Sequence, residues 1–157
     1  MLSIRPATEA DQQAIMDIYN ESVVNNTATF DTEVRTPEKQ MEWFRNHKKN
    51  HPVVVGEKDG RVIGWASLSP WSDRCAYDTT VEVSVYVHKD YRKQGLGRKL
   101  VDKVHNHGRE AGCKMTTLST MSFQDALGFY EKLGYIVDLE RPGYVDGSSL
   151  ICLKKEL

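Results

Sequence analysis

Two adjoining stretches decide how this chain folds: Thr80-Val81-Glu82-Val83-Ser84-Val85-Tyr86-Val87-His88 and Arg92-Lys93-Gln94-Gly95-Leu96-Gly97-Arg98. In the first, valines recur at every second position. Val81, Val83, Val85 and Val87 therefore share one face of a strand, with Glu82, Ser84 and Tyr86 on the other. After the second, Leu96, Leu100, Val101, Val104 and Ala111 recur at helical spacing up to Gly112. A strand thus runs through a basic, glycine-bearing loop into a helix. The unpaired N–H groups and the dipole at a helix start make such a junction an anion site. Gly95 and Gly97 let the backbone approach a phosphate without an intervening Cβ, and Arg92, Lys93 and Arg98 add positive charge. No Walker A lysine pattern is present, and Leu100 stands where a dinucleotide fingerprint needs its third glycine. Two glycines before a helix also fit a plain tight turn, so the flanks must decide the ligand.

Upstream, Leu2-Ser3-Ile4-Arg5 alternates and stops at Pro6, and Thr8 with Asp11 reads as a capping box opening a helix that carries Ala14, Ile15, Ile18 and Tyr19. Residues 25–36 are polar and loop-like, with Phe30 isolated among them. Thr36-Pro37 then starts a second helix whose apolar face holds Met41, Trp43 and Phe44. Val53-Val54-Val55 and Val62-Ile63-Gly64-Trp65-Ala66 flank Asp59-Gly60, a hairpin signal. Pro70 to Asp78 reads as a loop. Downstream, Met115 to Leu118 reads as a strand, and Gln124 to Leu133 as a helix capped by Gly134. Short strands are expected near Tyr135 to Leu139 and Leu150 to Lys154. The expectation is one domain over residues 1–157, an α+β fold with a mostly antiparallel mixed sheet of six to seven strands and about four helices.

The bulk numbers agree with a globular chain: 157 residues, 39% hydrophobic, 27% charged, formal net charge -1. That balance gives no electrostatic reason to expect nucleic acid as a partner. Cys75, Cys113 and Cys152 form no C-x-x-C pair, and His47, His51, His88, His105 and His107 show no metal-ligand spacing, so no metal is expected. The histidines read as surface residues, and Cys113 as a buried thiol rather than a nucleophile. No apolar run approaches the ~18 to 20 residues of a membrane span, and no signal peptide opens the chain. No membrane partner and a cytoplasmic location are expected.

The stretch R-x-x-G-x-G of Arg92 to Gly97, directly after Val85-Tyr86-Val87, resembles the pyrophosphate loop of the GCN5-related N-acetyltransferases (GNAT). Ile4-Arg5-Pro6-Ala7-Thr8 with Asp11 resembles a common opening of that superfamily, and Phe129-Tyr130-Glu131-Lys132-Leu133-Gly134-Tyr135 its second hallmark. Ala28-Thr29-Phe30-Asp31-Thr32-Glu33, Pro70-Trp71 and Ala76-Tyr77-Asp78-Thr79-Thr80-Val81-Glu82 are similar to the phosphinothricin acetyltransferase-like subgroup. The last third departs from it. Tyr130 stands where the subgroup usually has histidine, Gly143-Tyr144-Val145-Asp146-Gly147 replaces a longer tail, and Phe123 replaces a CoA-contacting asparagine.

The resemblance implies the GNAT fold, acetyl-CoA as co-substrate, a homodimer, and transfer of acetyl to the amine of a small molecule such as the α-amino group of an amino acid or analogue. A peptide N-terminal acetyltransferase and a non-catalytic CoA-binding module are the alternatives. Cofactor contacts are implied at Val85, Tyr86 and Val87 and at Arg92, Lys93, Gln94, Gly95, Leu96, Gly97 and Arg98. Glu82 is the candidate base, directly or through water, although an outward strand carboxylate gives the same alternation. Tyr130 is the candidate acid toward the CoA sulfur, although Ala126, Phe129, Tyr130 and Leu133 share a helical face on which it could simply pack. Phe30, Arg74 and Tyr77 are acceptor-side candidates. They lie in polar loops, and an arginine can take a carboxylate bidentately.

Overall fold

Proline, glycine and the period of the apolar residues set most element boundaries. The computed structural model describes residues 1–25, 29, 31–122, 126–145 and 147–157. β1 (Leu2–Pro6) leads through a 3-10 turn into α1 (Gln12–Asn25). Asp11 locks that turn: its carboxylate accepts from the Thr8 N–H at 2.7 Å and from two Arg5 nitrogens at 2.8 and 2.9 Å. Thr36 caps α2 (Pro37–Arg45) by accepting the Lys39 N–H at 3.3 Å, with Pro37 at the first helical position. β2 (Val53–Lys58) and β3 (Arg61–Pro70) form the expected hairpin, with Asp59 and Gly60 at φ 51 and 78 supplying the left-handed turn. Then follow β4 (Thr80–Val87), α3 (Leu96–Glu110), β5 (Met115–Met121), α4 (Ala126–Lys132), β6 (Ile136–Val145) and β7 (Ser148–Glu156).

The strands form one seven-stranded sheet in the order β1-β2-β3-β4-β5-β7-β6, antiparallel except between β4 and β5. Helices cover both faces. On one, Leu100, Val101 and Val104 of α3 pack with Val54, Val81, Val83 and Leu153 of the sheet. On the other, Ile15, Ile18 and Tyr19 of α1 pack with Val53, Val55 and Trp65, and α2 adds Trp43 and Phe44. Each fully buried valine or leucine among these contributes about 1.5–3 kcal/mol of transfer free energy. α3 lies close on the sheet because β2 and β3 present glycines beneath it: a Cβ at Gly56 or Gly64 would come within 3.0 Å of Leu96 or Leu100.

Three expectations are corrected. β5 runs on to Met121, and the last two strands are longer than expected, meeting in a hairpin near Gly147. Pro142 and Gly143 look like strand terminators, but β6 is the edge strand, where proline costs no ladder bond on its free side. A register shift between Pro142 and Val145 carries the pairing past them. Third, two of the histidines expected at the surface are not surface residues. His105 is 1% exposed, its Nε2 sharing a hydrogen bond of 2.6 Å with the Tyr135 hydroxyl. His47 is partly buried, with its ring nitrogens 2.6 Å from the Trp43 carbonyl and 2.9 Å from Ser69 Oγ.

Candidate active site

β4 and β5 pair over only three positions, Thr80↔Met115, Val81↔Thr116 and Glu82↔Thr117. Beyond Glu82 the two strands part: β4 stays with β3 as far as Gly64↔Val87, and β5 stays with β7 as far as Met121↔Leu150. The backbone that faces this gap can be read from the register. The His88 N–H donates to the Ile63 carbonyl at 2.8 Å, so the alternation of antiparallel bonding turns the N–H and C=O groups of Val83, Val85 and Val87 away from β3, toward the gap. A cavity of about 950 Å³ occupies it, bordered by Val83 to Val87 on one side and Leu118, Ser119 and Thr120 on the other. Val85 and Val87 are only partly buried, unlike Val81 and Val83 at 0% and 4% exposure, because they border this opening.

The glycine loop forms one end of the cavity. Gly95 sits at φ 82 as the N-cap of α3 and has no side chain to offer, so no side chain caps the first turn. Lys93 at φ 60 is a second left-handed residue, and alternation of this kind turns successive N–H groups into one concavity. The side chains of Arg92, Lys93 and Arg98 border the same cavity. Arg92 is also held in place: its Nε donates to the Val87 carbonyl at 3.0 Å and its Nη2 pairs with Glu21 of α1 at 2.5 Å. Gly97 makes room for α4, since a Cβ there would stand 3.3 Å from Phe129 Cζ.

Glu82 and Tyr130 reach this cavity from opposite faces of the sheet. Glu82 shares its face of β4 with Tyr86, on the α1 and α2 side, whereas Tyr130 packs with the α3 side and is 8% exposed. Glu82 is solvent-accessible within the cavity, yet desolvation raises its pKa above the ordinary glutamate value. Burial likewise pushes the Tyr130 hydroxyl well above the ordinary phenol value, with Tyr135, Tyr86 and Glu82 adding to the rise. Tyr130 is wedged between Phe129 and Tyr135, ring centroids 5.0 and 5.3 Å away.

The other end of the cavity is aromatic. Trp65 stacks on Tyr86 at 5.1 Å, Trp43 meets Trp65 edge-on at 5.3 Å, and Tyr19 meets Tyr86 edge-on at 5.2 Å. Arg35 completes this corner, 4.1 Å over the Tyr19 ring. Sequence reasoning did not select Arg35, Tyr19, Trp43 or Trp65 as site residues. The aromatics read as core by their period, and only the Trp65↔Tyr86 register and the return of the chain from α1 to α2 gather them. Of the expected acceptor-side residues, Phe30 lies outside the described residues, as does Phe123. Arg74 and Tyr77 sit in the loop joining β3 to β4, rooted where Pro70 pairs with Val81, and neither borders the cavity. Tyr77 instead packs edge-on against Trp71 at 4.8 Å.

A profile of the acetyltransferase (GNAT) family matches residues 13–135. The chain belongs to the GNAT acetyltransferase family. This GNAT chain is 34% identical over 143 residues to the L-amino acid N-acyltransferase MnaT of Escherichia coli (strain K12), covering 90% of this chain and 83% of that protein. It is 34% identical over 149 residues to the phosphinothricin N-acetyltransferase of Streptomyces viridochromogenes, covering 93% and 81%. Among solved structures, a putative acetyltransferase of Salmonella typhimurium, yncA, determined with its cofactor acetyl-CoA, superposes with a TM-score of 0.92 at 29% identity, covering 100% of this chain and 94% of that one. The GNAT fold and an acyltransferase are thus what the motifs around Arg92 to Gly97 and Phe129 to Tyr135 had implied.

In this GNAT chain Cys113 is 4% exposed, its thiol pKa is raised by burial, and its Sγ donates to the Asn50 carbonyl, as suits a structural thiol. Among the described residues no group of three His, Cys, Asp or Glu side chains is placed to hold a metal ion, and no helix is long and apolar enough to cross a membrane.

Proposed function

We propose that this chain transfers an acetyl group from acetyl-CoA to the amine of a small molecule, the α-amino group of an amino acid or an analogue of the phosphinothricin or methionine sulfone type. The observation that carries the reading is the gap between β4 and β5, because it joins the two faces of the sheet. A ligand with an anionic head and a long amide-bearing arm fits it: the uncapped start of α3 with Lys93 and Arg98 suits the pyrophosphate, and the gap-facing backbone of Val83, Val85 and Val87 suits the amides. Gln94 and Leu96 complete the loop around the same head, with Tyr86 between the two valines on the strand. When bound, acetyl-CoA supplies the thioester carbonyl that the amine attacks.

Glu82 stands where the ladder ends, on the acceptor face, and takes the proton released by the amine, directly or through a water. Its raised pKa makes it a stronger base than an ordinary carboxylate. The α-ammonium group of an amino acid titrates below a lysine side chain near ~10.4 and needs less help, which favours α-amines as acceptors. Tyr130 acts from the opposite face on the departing sulfur. Because burial holds its proton tightly while a thiol titrates near ~8.5, full proton transfer runs uphill. Its contribution is a hydrogen bond to the developing thiolate, and the thiolate takes its proton from solvent.

The test is thiol release from acetyl-CoA across phosphinothricin, methionine sulfone, methionine sulfoximine, ordinary amino acids and short peptides. Turnover confined to small α-amines is the expected result. Turnover of peptides alone would replace the reading with N-terminal acetylation, and tight CoA binding without turnover of any amine would leave a binding module. A homodimer and a cytoplasmic location belong to the same proposal; light scattering on the purified chain tests the first and cell fractionation the second.

A further inference from the structure

At the aromatic end of the cavity stands a cation, Arg35, that the protein has positioned and, among the described residues, not paired with a carboxylate. Arg35 is fixed at both ends. Its N–H donates to Asn20 Oδ1 at 2.8 Å, and its carbonyl accepts from Asn20 Nδ2 at 2.9 Å, tying the segment ahead of α2 to α1. Its Nη1 donates to Gln40 Oε1 at 2.7 Å. Gln40 is 1% exposed and is itself oriented by Gln12, whose Oε1 accepts from Gln40 Nε2 at 2.7 Å. The guanidinium lies flat against the corner, 4.1 Å from the Tyr19 centroid and 5.0 Å from that of Trp43. A relay of two buried amides and two rings is more scaffolding than a solvated surface arginine needs.

Its charge nonetheless lacks an ion-pair partner. Among the described residues no carboxylate lies within 4.0 Å of it, whereas Arg5 pairs with Asp11 and Glu57, and Arg92 on the opposite rim pairs with Glu21. Burial lowers the Arg35 pKa, and Asp31 only partly offsets this. Of five guanidinium N–H donors, the Gln40 contact uses one. Desolvated charge of this kind is costly unless an anion completes it.

We infer that Arg35, on the aromatic face of the cavity that also holds Glu82, is the binding residue for the carboxylate of the acceptor. The inference rests on the acetyl-transfer reading above and specifies its acceptor as an amino acid rather than a simple amine. It also gives the carboxylate to the segment between α1 and α2, not to Arg74 in the loop after β3.

The experiment measures kcat/KM for three kinds of acceptor: the best amino acid from the panel, its α-carboxamide, and an amino acid lacking any sulfone or phosphinate tail. Each is tested with wild type, Arg35→Gln and Arg35→Lys, alongside the KM for acetyl-CoA. A charge-assisted hydrogen bond implies a loss of about tenfold or more. In wild type, the carboxamide should lose at least that factor. Arg35→Gln should lose the same factor on both carboxylate acceptors, mainly through KM, and nothing further on the carboxamide, with acetyl-CoA KM unchanged. Arg35→Lys, which keeps the charge without the fork, should fall between; this arm and the wild-type comparison stand even if Arg35→Gln fails to fold. Equal losses on carboxylate and carboxamide would make Arg35 a packing residue and overturn the inference, as would sensitivity that follows the sulfone or phosphinate tail. Wild-type turnover indifferent to the carboxylate overturns this inference alone, while no turnover of any amine overturns it together with the acetyl-transfer reading.

Discussion

With Glu82 as the base proposed above, its desolvation has a direct kinetic consequence. A base must be ionised to accept a proton, so a raised pKa moves the acid limb of kcat/KM upward from the ordinary glutamate range, and activity is lost as pH falls through it. Glu82→Gln removes that limb. The remaining rise should follow the titration of the amine itself, and pH–rate profiles of the two proteins on one acceptor decide the matter. Tyr130→Phe keeps the ring packing against Phe129 and Tyr135 and deletes only the hydroxyl. If that hydroxyl stabilises the leaving thiolate, kcat should drop about 10- to 100-fold with little change in either KM; an unchanged kcat would return Tyr130 to packing. Gly95→Ala forces a Cβ into φ 82, which costs about 1–2 kcal/mol, so KM for acetyl-CoA should rise several-fold while acceptor KM holds. These residues were legible because a period of two, a glycine pair and a helix each leave a mark in sequence. Arg35 leaves none: its meaning comes from Asn20, Gln40 and Tyr19, brought to it by the turn of the chain.

At the scale of elements, α3 shows how periodicity can mislead. Leu100, Val101, Val104 and Gly108 mark its buried face, and His105 falls on the same side, against Tyr135 and, through it, Thr116. The ring is held neutral, its pKa pushed down to about 3 chiefly by burial. An unfolded histidine titrates near ~6.5. As pH falls below that value the unfolded chain takes up a proton that the folded core refuses, so stability declines until about pH 3 is reached. The slope is at most about 1.4 kcal/mol per pH unit for one such group. Urea unfolding of His105→Gln between pH 6.5 and 4 should show about one proton fewer taken up on unfolding than in the wild type; an unchanged slope would contradict a neutral, buried His105. β6 shows the converse problem. Its expected end near Leu139 fell short, and its position at the sheet edge explains why pairing continues past Pro142 and Gly143.

For the molecule as a whole, the mostly antiparallel mixed sheet and its helices followed from motifs spaced along the chain, and the loop end of the cavity was legible with them; the strand order and the split between β4 and β5 were not, because they depend on pairings between distant segments. The aromatic end was not, because it is assembled from α1, α2, β3 and β4, and a core tryptophan and a cavity tryptophan have the same period. The Arg92–Glu21 pair joins these halves, tying the helix that carries Tyr19 to the glycine loop before α3. The internal edge of β4 has one more consequence. A sheet edge normally lies at the surface, where charge, proline or bulges guard it against foreign strands. Here an edge lies in the middle of the sheet, and on the proposed reading what would guard it is the substrate. CoA would act as a removable strand: at a hundred times its dissociation constant it should add about 2.7 kcal/mol to stability. The amides of Val85 and Val87 should then pass from fast to slow hydrogen exchange, so that the resting enzyme would depend on its own reactant to remain fully stitched.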